Sequence, residues 1–195
     1  MAPITYTLGE LHEHLMEQVR ETVYPPGRKV QVAFASCCIV AEHHLAIALL
    51  VDEKLYASAF SLSRALYEAA VKGLWLSHCA TEEAAEAFAC GKELDQMNEL
   101  LDHLSSANLP AVVLRSLANV KRKYWRVLSS LTHAGHAQVK RWLSPDGVEP
   151  TYTDEIVQEL VNFTAFFAVV AAYERAHLGG NLDSMQRIAA MLPAE

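Results

Sequence analysis

A chain of 195 residues with 52% hydrophobic and 20% charged residues carries enough apolar surface to offset the entropy of ordering one core. That balance excludes an intrinsically disordered chain. The formal net charge of -7 argues against indiscriminate nucleic-acid binding, which rests on a surplus of Lys and Arg.

The start, Met-Ala-Pro-Ile-Thr-Tyr, has no basic stretch followed by an apolar run, so no secretory leader and a cytoplasmic protein are expected. Thr7 followed by Glu10 reads as a capping box opening a helix over about 8–24, stopped by Pro25-Pro26-Gly27. From about Lys29 to Val51 the chain is apolar on nearly every side, which predicts a buried central helix. Glu42, His43 and His44 in its middle argue against a membrane span, so no membrane association is expected. Glu42 and His43 are expected as hydrogen-bonded core groups and minor site candidates.

A third helix is predicted over about 55–79, and a Glu-rich fourth, capped by Thr81, to about Ser105. Pro110 opens a fifth segment to about Trp142, with a break near Gly135. Ser144-Pro145-Asp146-Gly147 is a turn cluster; Thr153-Asp154-Glu155 caps an apolar helix to about His177, and a short terminal helix follows Gly179-Gly180. Apolar-polar alternation of strand type is absent throughout. The expected fold is all-α: one domain spanning 1–195, an antiparallel helical bundle of about six or seven helices. Cys37, Cys38, Cys79 and Cys90 form no Cys-x-x-Cys pair and read as small hydrophobes, not as a disulfide framework or zinc knuckle.

Charge is unevenly spread. From His103 through Pro145 there is no Asp or Glu, while Arg115, Lys121, Arg122, Lys123, Arg126, Lys140 and Arg141 are all basic. One face is thus suited to an anion or to an acidic protein surface. Within this segment Leu114, Leu117, Tyr124, Leu128, Leu131, Gly135 and Trp142 follow the three-and-four spacing of a core stripe. Arg122, Arg126, Ser129, His133, His136 and Lys140 fall on the opposite, polar stripe.

Arg126 and His133 lie seven residues apart, on one helical face about 10.5 Å along the axis. Their spacing in Arg126-Val-Leu-Ser-Ser-Leu-Thr-His133 resembles the R-x(4-6)-H motif of the HEPN superfamily, small helical bundles of prokaryotic conflict systems. Glu42-His43, Ser63-Arg64-Ala-Leu-Tyr-Glu68 leading to Trp75, and Tyr124-Trp125 with Ser130 and Thr132-His133-Ala-Gly135 extend the likeness over about residues 30–175. Together they look like a bacterial family of unknown function related to HEPN proteins.

The resemblance implies a homodimer that joins two motif helices, in a toxin-antitoxin or phage-defence setting. Its ligand would be RNA or a nucleotide, and a cognate antitoxin or other partner protein is implied. Active members cleave RNA without metal and leave a cyclic phosphate. Arg126 would stabilise charge on the phosphate and His133 would move a proton. Arg64, Glu68, Ser130, His136 and Lys140 are the supporting or phosphate-binding candidates.

Val127, where active members place a polar side chain, favours the alternative of a non-catalytic interaction or ligand-sensing bundle. No cofactor is expected, and no metal. Glu174-Arg-Ala-His177 is one Glu-x-x-His element, whereas a di-iron bundle needs two plus further carboxylates. His133 with His136 is an incomplete ligand pair, and His12, His14, His78 and His103 read as surface residues.

Overall fold

The computed structural model of the protein describes residues 6–193. Helix α1 (Leu8–Val19) starts at the expected capping box: Thr7 Oγ1 accepts from the Glu10 amide, and the Glu10 carboxylate accepts from the Thr7 amide. Its four buried residues, Leu8, Leu11, Leu15 and Val19, form one apolar stripe.

Helices α2 (Arg28–Asp52) and α3 (Tyr56–His78) form the centre of the fold, joined by a turn in which Lys54 adopts a positive φ of 56°. Their backbones meet closely where Gly73 faces Ser36 and Cys37; a Cβ at Gly73 would lie 3.1 Å from that of Ser36. Helix α9 (Asp154–Leu178) packs on α1, α2, α3 and the short terminal α10 (Leu182–Ala189). Tyr67 of α3 meets Phe167 of α9 edge to face at 5.6 Å and donates a 2.9 Å hydrogen bond to the Leu117 carbonyl. Burying side chains of this size contributes about 1.5–3 kcal/mol each, and one contiguous core links them.

Both α2 and α9 are long and apolar enough to cross a membrane by length and composition. Each nevertheless buries a polar side chain within the fold, His44 on α2 and Glu174 on α9.

The Glu-rich segment breaks in two, α4 (Glu82–Ala89) and α5 (Met97–Leu104), around Gly91 at φ 95°. Helix α4 docks by its acids: Glu82 accepts from the Lys29 amide and Glu86 pairs with Arg28 at 2.6 Å. The basic segment also divides, into α6 (Ala111–Asn119), a π-helical turn at Val120–Tyr124, α7 (Trp125–Thr132) and α8 (His136–Lys140).

Strands are present after all, although minimal. Leu143–Ser144 (β1) pairs antiparallel with Gly147–Val148 (β2) across the expected turn cluster. Two residues per strand are too few to write an alternating pattern in the sequence. The described residues are otherwise mostly helical, in more and shorter helices than expected because the two long segments break.

Candidate functional site

The π-helical turn decides which side chains of the basic segment reach α3. Such a turn inserts one residue into the helical repeat, so the phase of everything after it slips. Leu117, Leu128 and Leu131 are buried as their spacing demands, but Tyr124 is 52% exposed and Trp142 43% exposed, against the expected stripe. Val120 and the half-buried Trp125 take the inward places instead.

Trp125, Ser129 and His133 then follow at four-residue steps, and all three meet Arg64. The Arg64 guanidinium lies 4.5 Å from the Trp125 ring centroid. Its Nη1 donates to Ser129 Oγ at 3.1 Å and to His133 Nε2 at 3.2 Å, while Nε donates to Glu68 Oε1 at 2.7 Å. Arginine has no acceptor, so His133 Nε2 accepts and the ring proton sits on Nδ1. The Arg64–Glu68 pair is itself half-buried.

Lys121, contributed by the π-helical turn, places its Nζ 3.7 Å from the same indole centroid. Burial first, and the Arg64 charge second, lower its ammonium from the ordinary value. Two cations thus share one tryptophan and a single carboxylate, Glu68. The surplus positive charge in a partly desolvated place is what an anion, above all a phosphate, would neutralise.

The other stripe residues go elsewhere. Arg126 is exposed and makes no side-chain hydrogen bond or ion pair among the described residues. His133 is the C-cap of α7, its amide still bonded to the Ser129 carbonyl, and its ring meets Arg64. Arg122 bonds Asn119. Ser130, in the last turn of α7, braces the turn that follows: its Oγ accepts from the Ala137 amide at 2.9 Å and its carbonyl from the Gly135 amide at 2.7 Å. A Cβ at Gly135 would lie 2.6 Å from Ser130 Oγ, so the turn closes too tightly for a side chain there.

His136 and Lys140, with Arg141, line a groove of about 760 Å³ between α3, α7 and α9, whose apolar walls include Phe60, Phe163 and Phe166. Ser63 also lines it, and its buried hydroxyl has no partner among the described residues.

Glu42 and His43 are not hydrogen-bonded core groups. Glu42 is exposed and His43 half-buried, with no side-chain hydrogen bond among the described residues. The core histidine is their neighbour His44, fully buried, with Nε2 donating to the Leu8 carbonyl at 3.1 Å. One position along a helix turns a side chain by roughly 100°, enough to exchange solvent for core. Burial, reinforced by His12 stacked against it, lowers the His44 imidazole to about 4.

The surface reading of two further histidines also needs revision: His12 is half-buried, and His78 lies 2.9 Å from the buried carboxylate of Glu174. His103 is exposed as expected and accepts from Trp75 Nε1 at 3.1 Å. All four cysteines are free thiols, and burial raises Cys37 well above its ordinary value.

A family model for DUF6988, described as a family of unknown function, matches residues 37–194, which is most of the chain. The chain belongs to DUF6988. No curated protein and no solved structure matches it. The DUF6988 match begins on α2 and includes every residue of the Arg64–His133 cluster and of the adjoining groove. Lys121 and Trp125 were not singled out by the sequence as site residues, because a π-helical turn leaves no period of its own to read. The acid-free run around them was the only available signal.

Proposed function

We propose that this DUF6988 protein is a HEPN-like helical bundle whose Arg64–Lys121–His133 cluster receives an RNA phosphate and cleaves the strand without metal. The observation that carries the reading is the 3.2 Å contact between Arg64 Nη1 and His133 Nε2, which holds a cation and a base on one reacting group.

On binding, a phosphate oxygen replaces His133 as acceptor of the Arg64 Nη1 proton, and Lys121 meets a second oxygen. His133 Nε2, released, takes the proton of the neighbouring 2′-hydroxyl. The 2′-oxygen bonds to phosphorus, the bond to the 5′-oxygen breaks, and that oxygen takes a proton from solvent, leaving a cyclic phosphate. Arg64 thus replaces Arg126 as the charge-stabilising residue, and Arg126 becomes an outer contact for the strand. Glu68 and Ser129 hold Arg64 in place.

A homodimer fits this reading. Leu45 and Leu49, four residues apart on α2, are exposed apolar residues on one face suited to burial against a second copy. The setting proposed with it is a bacterial toxin-antitoxin or phage-defence system, with a cognate protein masking the cationic face.

The test is incubation of purified protein with labelled RNA pools in the presence of a chelator. Cyclic-phosphate ends are expected from wild type and not from His133→Ala. The reading fails if wild type neither cuts RNA nor binds nucleotides, while His133→Ala changes stability alone.

The groove favours a second reading, a ligand-sensing protein without catalysis. Its aromatic wall beside Lys140 and Arg141 suits an amphipathic anion, and the unpartnered Ser63 hydroxyl suits a polar group on that ligand. Binding of an anionic fluorescent amphiphile, weakened by Lys140→Ala and indifferent to His133→Ala, would favour it.

A further inference from the structure

About 21 Å along α3 from Arg64, at the helix's C-terminal end, a separate set of groups converges. Glu174 of α9 is fully buried; its Oε1 accepts from Ser77 Oγ, and its Oε2 lies 2.9 Å from His78 Nε2. His177 follows Glu174 by three residues, so it projects from the same face of α9. Its ring stacks on that of His78, with centroids 5.0 Å apart and planes inclined by 11°.

A buried carboxylate needs a positive partner or a full set of donors. Among the described residues no Lys or Arg pairs with Glu174. The adjacent Arg175 is directed to Met16 Sδ, with its guanidinium 5.1 Å from the Phe34 ring centroid.

We infer that His78, Glu174 and His177 form a binding site for a divalent transition-metal ion, zinc by preference. One ligand atom from each of the three lies within 4.8 Å of the others. Tetrahedral ligands about 2.0–2.1 Å from zinc stand roughly 3.4 Å apart, so the set closes with a small rotation of the exposed His177. Two imidazoles and one carboxylate match zinc and its neighbours in softness, whereas magnesium and calcium prefer oxygen alone.

Ser77 Oγ donates to the carboxylate and fixes its orientation toward the two imidazoles. The exposure of His177 leaves the fourth position to water, the pattern of a site able to bind a further ligand rather than one closed for structure alone. The sequence displays half of this set, Glu174-Arg-Ala-His177. Folding adds His78, 96 residues from Glu174, which spacing rules do not link.

The experiment is titration of tag-free, chelator-treated full-length protein with cobalt(II), followed by displacement with zinc. One equivalent is expected, with the intense visible bands of low-coordinate cobalt. His177→Ala should weaken binding on the order of tenfold or more while the metal-free variant melts like metal-free wild type. His78→Ala should do the same, and if it fails to fold, His177→Ala decides. Absence of stoichiometric cobalt binding, or equal affinity in His177→Ala, overturns the site.

Discussion

The middle and the C-terminal end of α3 hold polar clusters built on opposite electrostatic plans. In the middle Arg64 and Lys121 crowd a tryptophan, half-open to solvent, with Glu68 as their balancing carboxylate among the described residues. At the C-terminal end Glu174 is wholly buried and, among the described residues, is answered by Ser77 and His78. The first cluster has a surplus of cation and the second a surplus of anion, so one helix carries opposite local charge at two places about 21 Å apart. The lesson is that burial, more than residue type, sets what each cluster can do. The half-open guanidinium is free to exchange partners for a ligand, while the buried carboxylate contributes to the fold itself.

The sharpest way to break this contrast is by mutation at both places. Glu174→Ala strands the Ser77 and His78 donors and is expected to cost about 3–5 kcal/mol in urea unfolding, whereas Arg64→Ala, at a partly exposed pair, should cost about 1 kcal/mol. Equal losses would mean that the two clusters do not differ as described.

Acid sharpens the comparison from a third place, the core of α2. His44 titrates near 4 in the fold against 6.5 unfolded. Its depressed value means that the unfolded chain takes up the proton first. Stability is therefore complete above about pH 6.5 and falls as pH drops toward 4, by about 3 kcal/mol across the window. Urea midpoints measured between pH 7 and 4.5 should follow this fall, and His44→Phe should flatten it. A wild-type curve level to pH 4.5 would show that His44 is not held neutral by burial.

The smallest effect is expected beside His133. Ala134 occupies a left-handed conformation at φ 50°, which strains a residue bearing a Cβ. Ala134→Gly should stabilise the protein by up to about 1 kcal/mol while leaving the Arg64–His133 contact in place. A destabilised variant would argue against the turn geometry that carries His133 off the end of α7.

Much of this architecture is legible in the sequence. Capping box, proline stops and unbroken apolar runs placed α1, α2, α3 and α9 within a few residues, because each signal is local. The site was legible only in its residue types. Arg64, Glu68 and His133 stood out as chemistry, yet the pairing of Arg64 with His133 rests on contact between distant segments. Lys121 and Trp125 turned inward through a phase slip that no periodic template contains. His78 looked like a surface residue because nothing near it in sequence reveals Glu174.

Equilibrium binding of labelled single-stranded RNA, measured with chelator present for wild type, Arg64→Ala and His177→Ala, tests the central claim most directly. Arg64→Ala should lose affinity on the order of a hundredfold, as a preorganised charged donor does, with a shallower salt dependence, while His177→Ala binds as wild type does. RNA binding unchanged in Arg64→Ala, or absent from wild type, would contradict the assignment of a phosphate site to the Arg64 cluster.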